Sequence, residues 1–179
     1  MKTALITGAS QGIGAAIADK LNVKKIKVIL VSRSKSKLKT FQKNLKFPKN
    51  SLIISKDLRS LSSCNSIAKK IKKLDYLINV AGATKGGKFL NLNDNIWEDG
   101  FNLKFKAAVR LSRAFWLILK RSKGKVINIG GGAARNPSNT SMIGGAVNSA
   151  LNNFSKALAM QGKIDKVSVS IIHPGMTLT

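Results

Sequence analysis

The sequence predicts an α/β fold in which helices cover both faces of a doubly wound parallel sheet. Short apolar runs alternate with segments of helical periodicity along the whole chain, which is the pattern of βαβ units. The apolar runs are continuous, as expected for strands that are buried on both faces. No linker or repeat divides the 179 residues, so residues 1–179 are predicted to form a single domain. The expected strand order is 3-2-1-4-5-6, with right-handed crossovers.

The first half of the chain contains the first four predicted strands. Apolar runs predict strands at residues 3–7, 27–31, 51–55 and 75–80. Apolar residues at helical spacing predict helices at residues 12–21, 35–45 and 61–74. Cys64 occupies an apolar position of the third helix, and as the only cysteine it cannot form an internal disulfide.

The second half of the chain begins with a long helical stretch at residues 94–121, which we expect to bend or break near residues 102–104. A strand is predicted at 125–129, a helix at 145–161 and a sixth strand at 167–172. Each of these strands is a short apolar run bounded by polar residues or glycine, as in the first half of the chain.

The chain is strongly basic, with 32 Lys and Arg residues against 7 Asp and Glu and a net charge of +25. Basic surfaces can collect nucleic acid through phosphate contacts. The lysines are, however, scattered over nearly every predicted helix and loop, without a basic segment that carries aromatic residues. We therefore expect a solvated surface rather than a nucleic-acid site.

The hydropathy pattern predicts a cytoplasmic protein. No apolar run reaches the roughly 20 residues needed to cross a bilayer. The N-terminal apolar run is broken at Gly8 and is too short for a secretion signal. No metal site is predicted.

The first predicted strand leads into a glycine-rich turn, Thr7-Gly8-Ala9-Ser10-Gln11-Gly12-Ile13-Gly14, which opens the first helix. Gly8 permits a tight turn, Gly12 lets the backbone approach a phosphate, and Gly14 allows close packing of helix on strand. Free N–H groups at the positive end of the helix would bind the phosphates. The other residues expected to contact this ligand are Ser10, Gln11 and Ile13.

Three short motifs resemble the short-chain dehydrogenase/reductase family. They are the spacing of the glycines in residues 8–14, Asn79-Val80-Ala81-Gly82 after the fourth strand, and Pro174-Gly175 after the sixth. Each motif follows the C-terminal end of a predicted strand, where open α/β sheets bind ligands. The resemblance covers Lys2 to Thr179. It implies a Rossmann-like fold and hydride transfer between a nicotinamide cofactor and a small carbonyl or alcohol substrate.

The resemblance also implies where the cofactor lies. It places Asp57 against the adenine, with Leu58 beside it, and it places Thr179 and the backbone near Thr177 by the nicotinamide amide. The other cofactor residues that it implies are Asn79, Ala81, Gly82, Pro174 and Gly175.

The end of the second strand favours NADP over NAD. NAD-binding sites usually carry an acid there, which holds the ribose 2′-hydroxyl. This strand ends Val31-Ser32-Arg33-Ser34 and has no carboxylate. Arg33 could pair with a 2′-phosphate. Alternatively, Arg33 is one more solvated base in a basic chain.

The catalytic positions of the family are substituted. The family uses a Tyr as acid/base, a Lys four residues later and a Ser that orients the carbonyl. Counting back from Phe154-Ser155-Lys156 places the Tyr at Gly144 and the Lys at Asn148, and the end of the fifth strand places the Ser at Gly131. Two interpretations remain: an enzyme with an unorthodox acid, or a catalytically silent relative that binds nucleotide or a protein partner.

The family's catalytic Asn has two possible matches. Counting back from residues 110–115 gives Lys104, whereas Phe101-Asn102-Leu103 resembles the usual setting of the Asn. If Lys104 is the match, Lys and Asn have exchanged helices, because Asn148 fills the Lys position. We hypothesise that Lys104 points into the cleft as its cationic group. The alternative is an exposed helix lysine.

The family usually continues beyond the point at which this chain stops, with substrate-covering helices and a seventh strand. We therefore expect a dinucleotide-binding domain that is incomplete at its C-terminus and lacks the seventh strand. The resemblance also implies a homo-oligomer through the two long helices. Candidate apolar contacts are Ala107, Ala108, Leu111, Phe115, Leu151, Phe154 and Leu158, some of which must instead face the sheet of their own chain.

Overall fold

A computed structural model of the protein describes residues 1–175 and contains one six-stranded parallel sheet. The strand order is β3-β2-β1-β4-β5-β6, so the predicted fold class and strand order are confirmed. The strands are β1 (Thr3–Thr7), β2 (Lys27–Ser32), β3 (Ser51–Ser55), β4 (Tyr76–Asn79), β5 (Lys125–Ile129) and β6 (Ser168–Ile172). The order reverses between β1 and β4, which creates a crevice at the C-terminal edge of the sheet.

Six α-helices cover the two faces of the sheet. They are α1 (Gly12–Val23), α2 (Lys35–Lys43), α3 (Leu61–Lys70), α4 (Asp94–Gly100), α5 (Ala107–Ser122) and α6 (Met142–Asp165). A π-helical segment, Phe101–Lys106, joins α4 to α5, at the place where the sequence predicts a bend. No helix within residues 1–175 is both long and apolar enough to cross a membrane.

The third predicted helix is too long at its C-terminus. The helix ends at Lys70, and Ile71 is already extended. The backbone N–H of Asp75 donates to the carbonyl of Thr3, and the Asp75 carboxylate accepts the Thr3 N–H at 2.8 Å. Because Asp75 must stand beside the start of β1, the chain has to leave the helix before it. Leu74 is nevertheless buried. Because it is apolar and continues the helical spacing, the sequence predicts a helix that extends to it.

Both faces of the central strands are buried, as their continuous apolar runs predict, whereas the edge strand β6 exposes Ser168, Ser170 and Ile172. Leu5 of β1 packs with α3 and α5 on one face, whereas Ala4 and Ile6 pack with α1 and α2 on the other. Most of the apolar residues predicted to contact a second subunit belong to these internal layers. The buried ones are Ala107, Ala108, Leu111, Phe115 and Leu151. Ala107, Leu111 and Phe115 pack in the same cluster as Leu5 of the sheet, and all five are buried within their own chain, so they are not available to a partner.

Candidate functional site

A cavity of about 760 Å³ lies at the C-terminal edge of the sheet, across the point where the strand order reverses. It is lined by Gly8, Ser10, Gln11, Gly12, Ile13, Gly14, Ser32, Arg33, Ser34, Lys37, Lys56, Leu58, Val80, Ala81, Gly82, Ala83, Leu103, Lys104, Ile129 and Gly130. The residues after β1, β2, β3, β4 and β5 thus meet in one site. Loops at this edge of an open α/β sheet form the usual ligand site of the fold.

The glycine turn has a backbone that only glycine accepts without strain. Gly8 and Gly12 have φ angles of +66° and +56°, in the left-handed region. A Cβ at Gly14 would lie 2.3 Å from the carbonyl oxygen of Gly8. Gln11 begins α1 without a capping hydrogen bond from its side chain. Gly12, Ile13 and Gly14 at the start of α1 line the cavity, and the Gln11 side chain does not cap their N–H groups, an arrangement that suits an anion site.

The β2–β3 end of the cavity is basic. Arg33 follows β2, Lys37 lies in the first turn of α2, and Lys56 follows β3. Lys37 donates to the side-chain oxygen of Gln11 at 3.0 Å, which links α2 to the glycine turn. Among the described residues, no Asp or Glu side chain lines the cavity. The sequence interpretation identified Arg33 but missed Lys37 and Lys56, although the position of Lys56 directly after a strand was a usable signal.

Lys104 lies at the opposite end of the cavity, in the π-helical segment. Its ammonium nitrogen is 3.5 Å from the carbonyl oxygen of Gly130, and its stem covers Gly82, whose Cβ would lie 2.6 Å from the Lys104 Cδ. Burial lowers the pKa of the Lys104 ammonium below its ordinary value. Asn102, the other match considered for this position, does not line the cavity.

The three positions that the sequence analysis matches to the family's Ser, Tyr and Lys lie close to other polar side chains rather than to open space. A Cβ at Gly131 would lie 2.8 Å from the Asn148 amide nitrogen. A Cβ at Gly144 would lie 2.7 Å from Ser141 Oγ and 3.1 Å from Thr84 Oγ1. Asn148 is buried, and its Oδ1 has no hydrogen-bond partner within residues 1–175. Two hydroxyl groups therefore stand where a side chain at position 144 would begin.

A buried polar chain runs behind the cavity. The Asn79 amide donates to Asn128 Oδ1 at 2.9 Å, and the Asn128 amide donates to Ser155 Oγ at 2.8 Å. His173 lies 3.1 Å from the Gly131 carbonyl through Nδ1. Asn79 thus ties β4 to β5 instead of lining the cavity. The sequence interpretation missed Asn128, although a polar residue inside an apolar strand is the signal of such a link.

Several residues implied by the resemblance stand outside this cavity. The Asp57 carboxylate accepts the backbone N–H of Arg59 at 3.0 Å and does not line the cavity, although its neighbour Leu58 does. Pro174 and Gly175 follow β6 and do not line it either. Thr177 and Thr179 lie outside the described residues.

The profile of the short chain dehydrogenase family matches residues 2–179. A curated oxidoreductase of Staphylococcus epidermidis is 28% identical, over 99% of this chain and 79% of that protein. The 3-oxoacyl-(acyl-carrier-protein) reductase FabG of Rickettsia typhi is 32% identical, over 97% of this chain and 72% of that protein.

Solved structures with the same fold include proteins crystallised with a nicotinamide cofactor. The L-sorbose reductase of Gluconobacter frateurii, complexed with NADPH and L-sorbose, has a TM-score of 0.94 and 28% identity, over 99% of this chain and 70% of that one. A metagenomic short-chain oxidoreductase in complex with NADP has a TM-score of 0.92 and 29% identity, over 98% of this chain and 82% of that one.

Proposed function

Because this chain belongs to the short-chain dehydrogenase family, we propose that it binds NADP(H) and transfers hydride between that cofactor and a small carbonyl or alcohol substrate. The cavity carries this proposal, since it joins the glycine turn to a basic end and contains no acidic side chain within residues 1–175. Two of the relatives described above are named as reductases, one of them crystallised with NADPH, which supports a carbonyl substrate.

The residues of the cavity fit a phosphorylated dinucleotide. The glycine turn would offer N–H groups to the pyrophosphate, and Gly12, with its positive φ angle and no Cβ, would let the backbone approach it. Arg33, Lys37 and Lys56 provide positive charge for a 2′-phosphate, which NAD lacks. The absence of a carboxylate from this lining removes the usual partner of an unphosphorylated ribose. These features favour NADP over NAD.

Lys104 is the residue that we propose as the proton donor. When bound, the cofactor supplies a hydride to the carbonyl carbon, so the chain must deliver a proton to the oxygen. Lys104 provides the only ammonium group at the β4–β5 end of the described cavity lining. Its pKa is lowered by burial, toward the range in which an acid is effective at neutral pH. Asn148 would replace the family's Lys by offering amide hydrogen bonds.

A catalytically silent relative is the second candidate function. Gly131 and Gly144 lack the hydroxyl groups that the family uses to hold and protonate the carbonyl. The side chains of Asn148, Ser141 and Thr84 crowd the Cβ positions of these two glycines, so a larger residue at either position would require these side chains to move. A chain that binds nucleotide without turnover would have the same intact turn and the same substituted positions.

Titration with NADPH, followed by its fluorescence, tests binding first, and turnover of a panel of ketones then separates the two candidates. The proposed oxidoreductase requires saturable binding at sub-millimolar NADPH and ketone reduction that Lys104→Ala abolishes. Lys106→Ala is the matched control, because Lys106 belongs to the same segment but is exposed and outside the cavity. Binding without turnover supports the silent relative. A folded chain without saturable binding would contradict both nucleotide-binding candidates and leave only a silent relative that binds a protein partner.

We also propose a homo-oligomer through α5 and α6. These helices expose three large apolar side chains, Leu117, Met160 and Ile164, each at least 69% accessible. Burial of such side chains would stabilise a dimer. Light scattering of the parent and of the double variant Met160→Glu/Ile164→Glu tests this: a dimer that becomes a monomer is expected, and a monomeric parent would contradict it. Leu90→Glu, outside these helices, is the control.

A further inference from the structure

The cavity has basic side chains at both ends, and the 2′-phosphate of the proposed cofactor would account for the charge of only one end. Arg33, Lys37 and Lys56 lie on the β2–β3 side, whereas Lys104 lies beside Gly130 at the end of β5. A dinucleotide that lies across the switch point places its two nucleotides on opposite sides of it. If the 2′-phosphate takes the basic β2–β3 end, the nicotinamide half lies on the side of Lys104.

Within residues 1–175, no carboxylate pairs with the ammonium group of Lys104. The only hydrogen-bond partner of its ammonium within residues 1–175 is the carbonyl oxygen of Gly130, at 3.5 Å. The carboxylates of Asp57 and Asp99, on neighbouring elements, both pair with Arg59 instead. The side chain is half-buried, and burial alone lowers its pKa. A cation without a counter-ion in a partly desolvated site acts strongly on any charge that a ligand brings near it.

Resting on the proposed function, we infer that Lys104 makes the site select the reduced nicotinamide cofactor over the oxidised one. The nicotinamide ring carries a positive charge when oxidised and none when reduced, whereas the phosphates are the same in both forms. Lys104 therefore repels only the oxidised ring, while Arg33, Lys37 and Lys56 attract both forms alike. Such a site favours carbonyl reduction and rapid release of the oxidised cofactor.

The expected size of the preference follows from Coulomb's law. Two unit charges within about 10 Å, at an effective dielectric constant of about 20, change a dissociation constant by about tenfold. We therefore expect the parent protein to bind NADPH about tenfold or more tightly than NADP⁺. Nothing else in the described lining distinguishes the two forms by charge.

The dissociation constants of NADPH and NADP⁺ for the parent and four variants test this inference. Lys104→Met keeps an unbranched stem over Gly82 without the charge, and Lys104→Gln is a second neutral variant in case the first does not fold. Both should bring the ratio of the two constants close to one. Lys104→Arg retains a cation and should retain the preference. Lys56→Gln, at the other end of the cavity, should weaken the binding of both NADPH and NADP⁺ and leave the ratio of their dissociation constants unchanged.

The results that would contradict this inference differ from those that would contradict the proposed function. Equal affinities in the parent, or a preference that survives in both neutral variants, would overturn the role of Lys104 in selecting the reduced cofactor and leave the proposed function intact. A folded parent that binds neither form would overturn the proposed function and this inference together. The readout is binding, so it does not depend on whether the protein turns over a substrate.

Discussion

Gly14 illustrates how one missing Cβ shapes the ligand edge of this sheet. A Cβ there would lie 2.3 Å from the carbonyl oxygen and 2.7 Å from the carbonyl carbon of Gly8, both of which are backbone atoms. We expect Gly14→Ala to lower the free energy of unfolding by about 1–3 kcal/mol, because the turn must shift. The same shift should abolish NADPH binding. Urea unfolding and fluorescence titration measure the two effects.

Gly132→Ala is the control for this substitution, because a Cβ at the exposed Gly132 meets no heavy atom within 4 Å. It should change the free energy of unfolding by less than about 0.5 kcal/mol. If Gly14→Ala binds NADPH as the parent does, the turn is not the phosphate site.

Arg33 is the residue on which the preference for NADP depends most directly. It follows β2 and lines the basic end of the cavity. We expect Arg33→Ala to weaken NADPH binding by about tenfold to a hundredfold, because a charge-assisted contact to the 2′-phosphate is lost. NADH has no such phosphate, so its affinity should stay nearly constant. Parallel titrations of both cofactors measure the difference.

Arg135→Ala is the control for Arg33, because Arg135 is exposed and outside the cavity lining. It should leave both affinities unchanged. Equal losses for NADPH and NADH in Arg33→Ala would mean that Arg33 acts on the shared part of the cofactor rather than on the 2′-phosphate.

At the scale of elements, the sequence predicts the glycine turn and the end of β2 well, because both are local. A turn between a strand and a helix fixes the positions of Gly8 and Gly14 independently of how the rest of the chain packs. The choice between Asn102 and Lys104 cannot be made in this way. It depends on the π-helical segment, whose wider turn changes the direction in which each side chain points. A periodicity of 3.6 residues carries no information about such a segment.

The link between α5 and α6 is an aspartate that accepts three hydrogen bonds. The Asp165 carboxylate accepts from Lys120 Nζ at 2.6 Å, Trp116 Nε1 at 2.8 Å and Gln161 Nε2 at 2.8 Å. These donors hold its pKa well below the usual range, the Lys120 ammonium above all. We expect Asp165→Asn to lower the free energy of unfolding at neutral pH, because the charged acceptor of these three hydrogen bonds is lost.

The contribution of Asp165 should depend on pH with a defined sign. Its pKa is lower in the folded state than the value of about 3.9 in the unfolded chain, so its stabilisation is present above that value. The stabilisation is lost as the pH falls through the folded pKa. Urea unfolding of parent and variant should therefore give a difference that is constant near neutral pH and shrinks below about pH 4. Asp19→Asn on α1 is the control.

A constant difference between parent and Asp165→Asn down to strongly acidic pH would contradict this account. It would mean that the variant acts through packing rather than through the charge of the carboxylate. If Asp19→Asn lowered the free energy of unfolding by the same amount as Asp165→Asn, the effect would come from the net charge of the chain rather than from the contacts of Asp165.

At the scale of the whole molecule, the net charge of +25 gives no site its specificity but acts on every anion that approaches. The cavity lining is itself basic and, within residues 1–175, contains no acidic side chain. The local field and the overall field therefore have the same sign. Both attract a polyphosphate ligand toward the edge of the sheet.

The association rate of NADPH should consequently fall as salt is added. Raising the salt from about 0.05 M to about 0.5 M shortens the screening length severalfold and weakens long-range attraction. Stopped-flow fluorescence should show a steeper fall for NADPH than for NADH, which carries less negative charge. The double variant Lys156→Glu/Lys163→Glu alters two exposed residues of α6 outside the cavity. It should make the association rate of NADPH less dependent on salt without changing the preference for NADPH over NADH. Association rates that do not change with salt concentration would mean that the surface charge does not contribute to cofactor association.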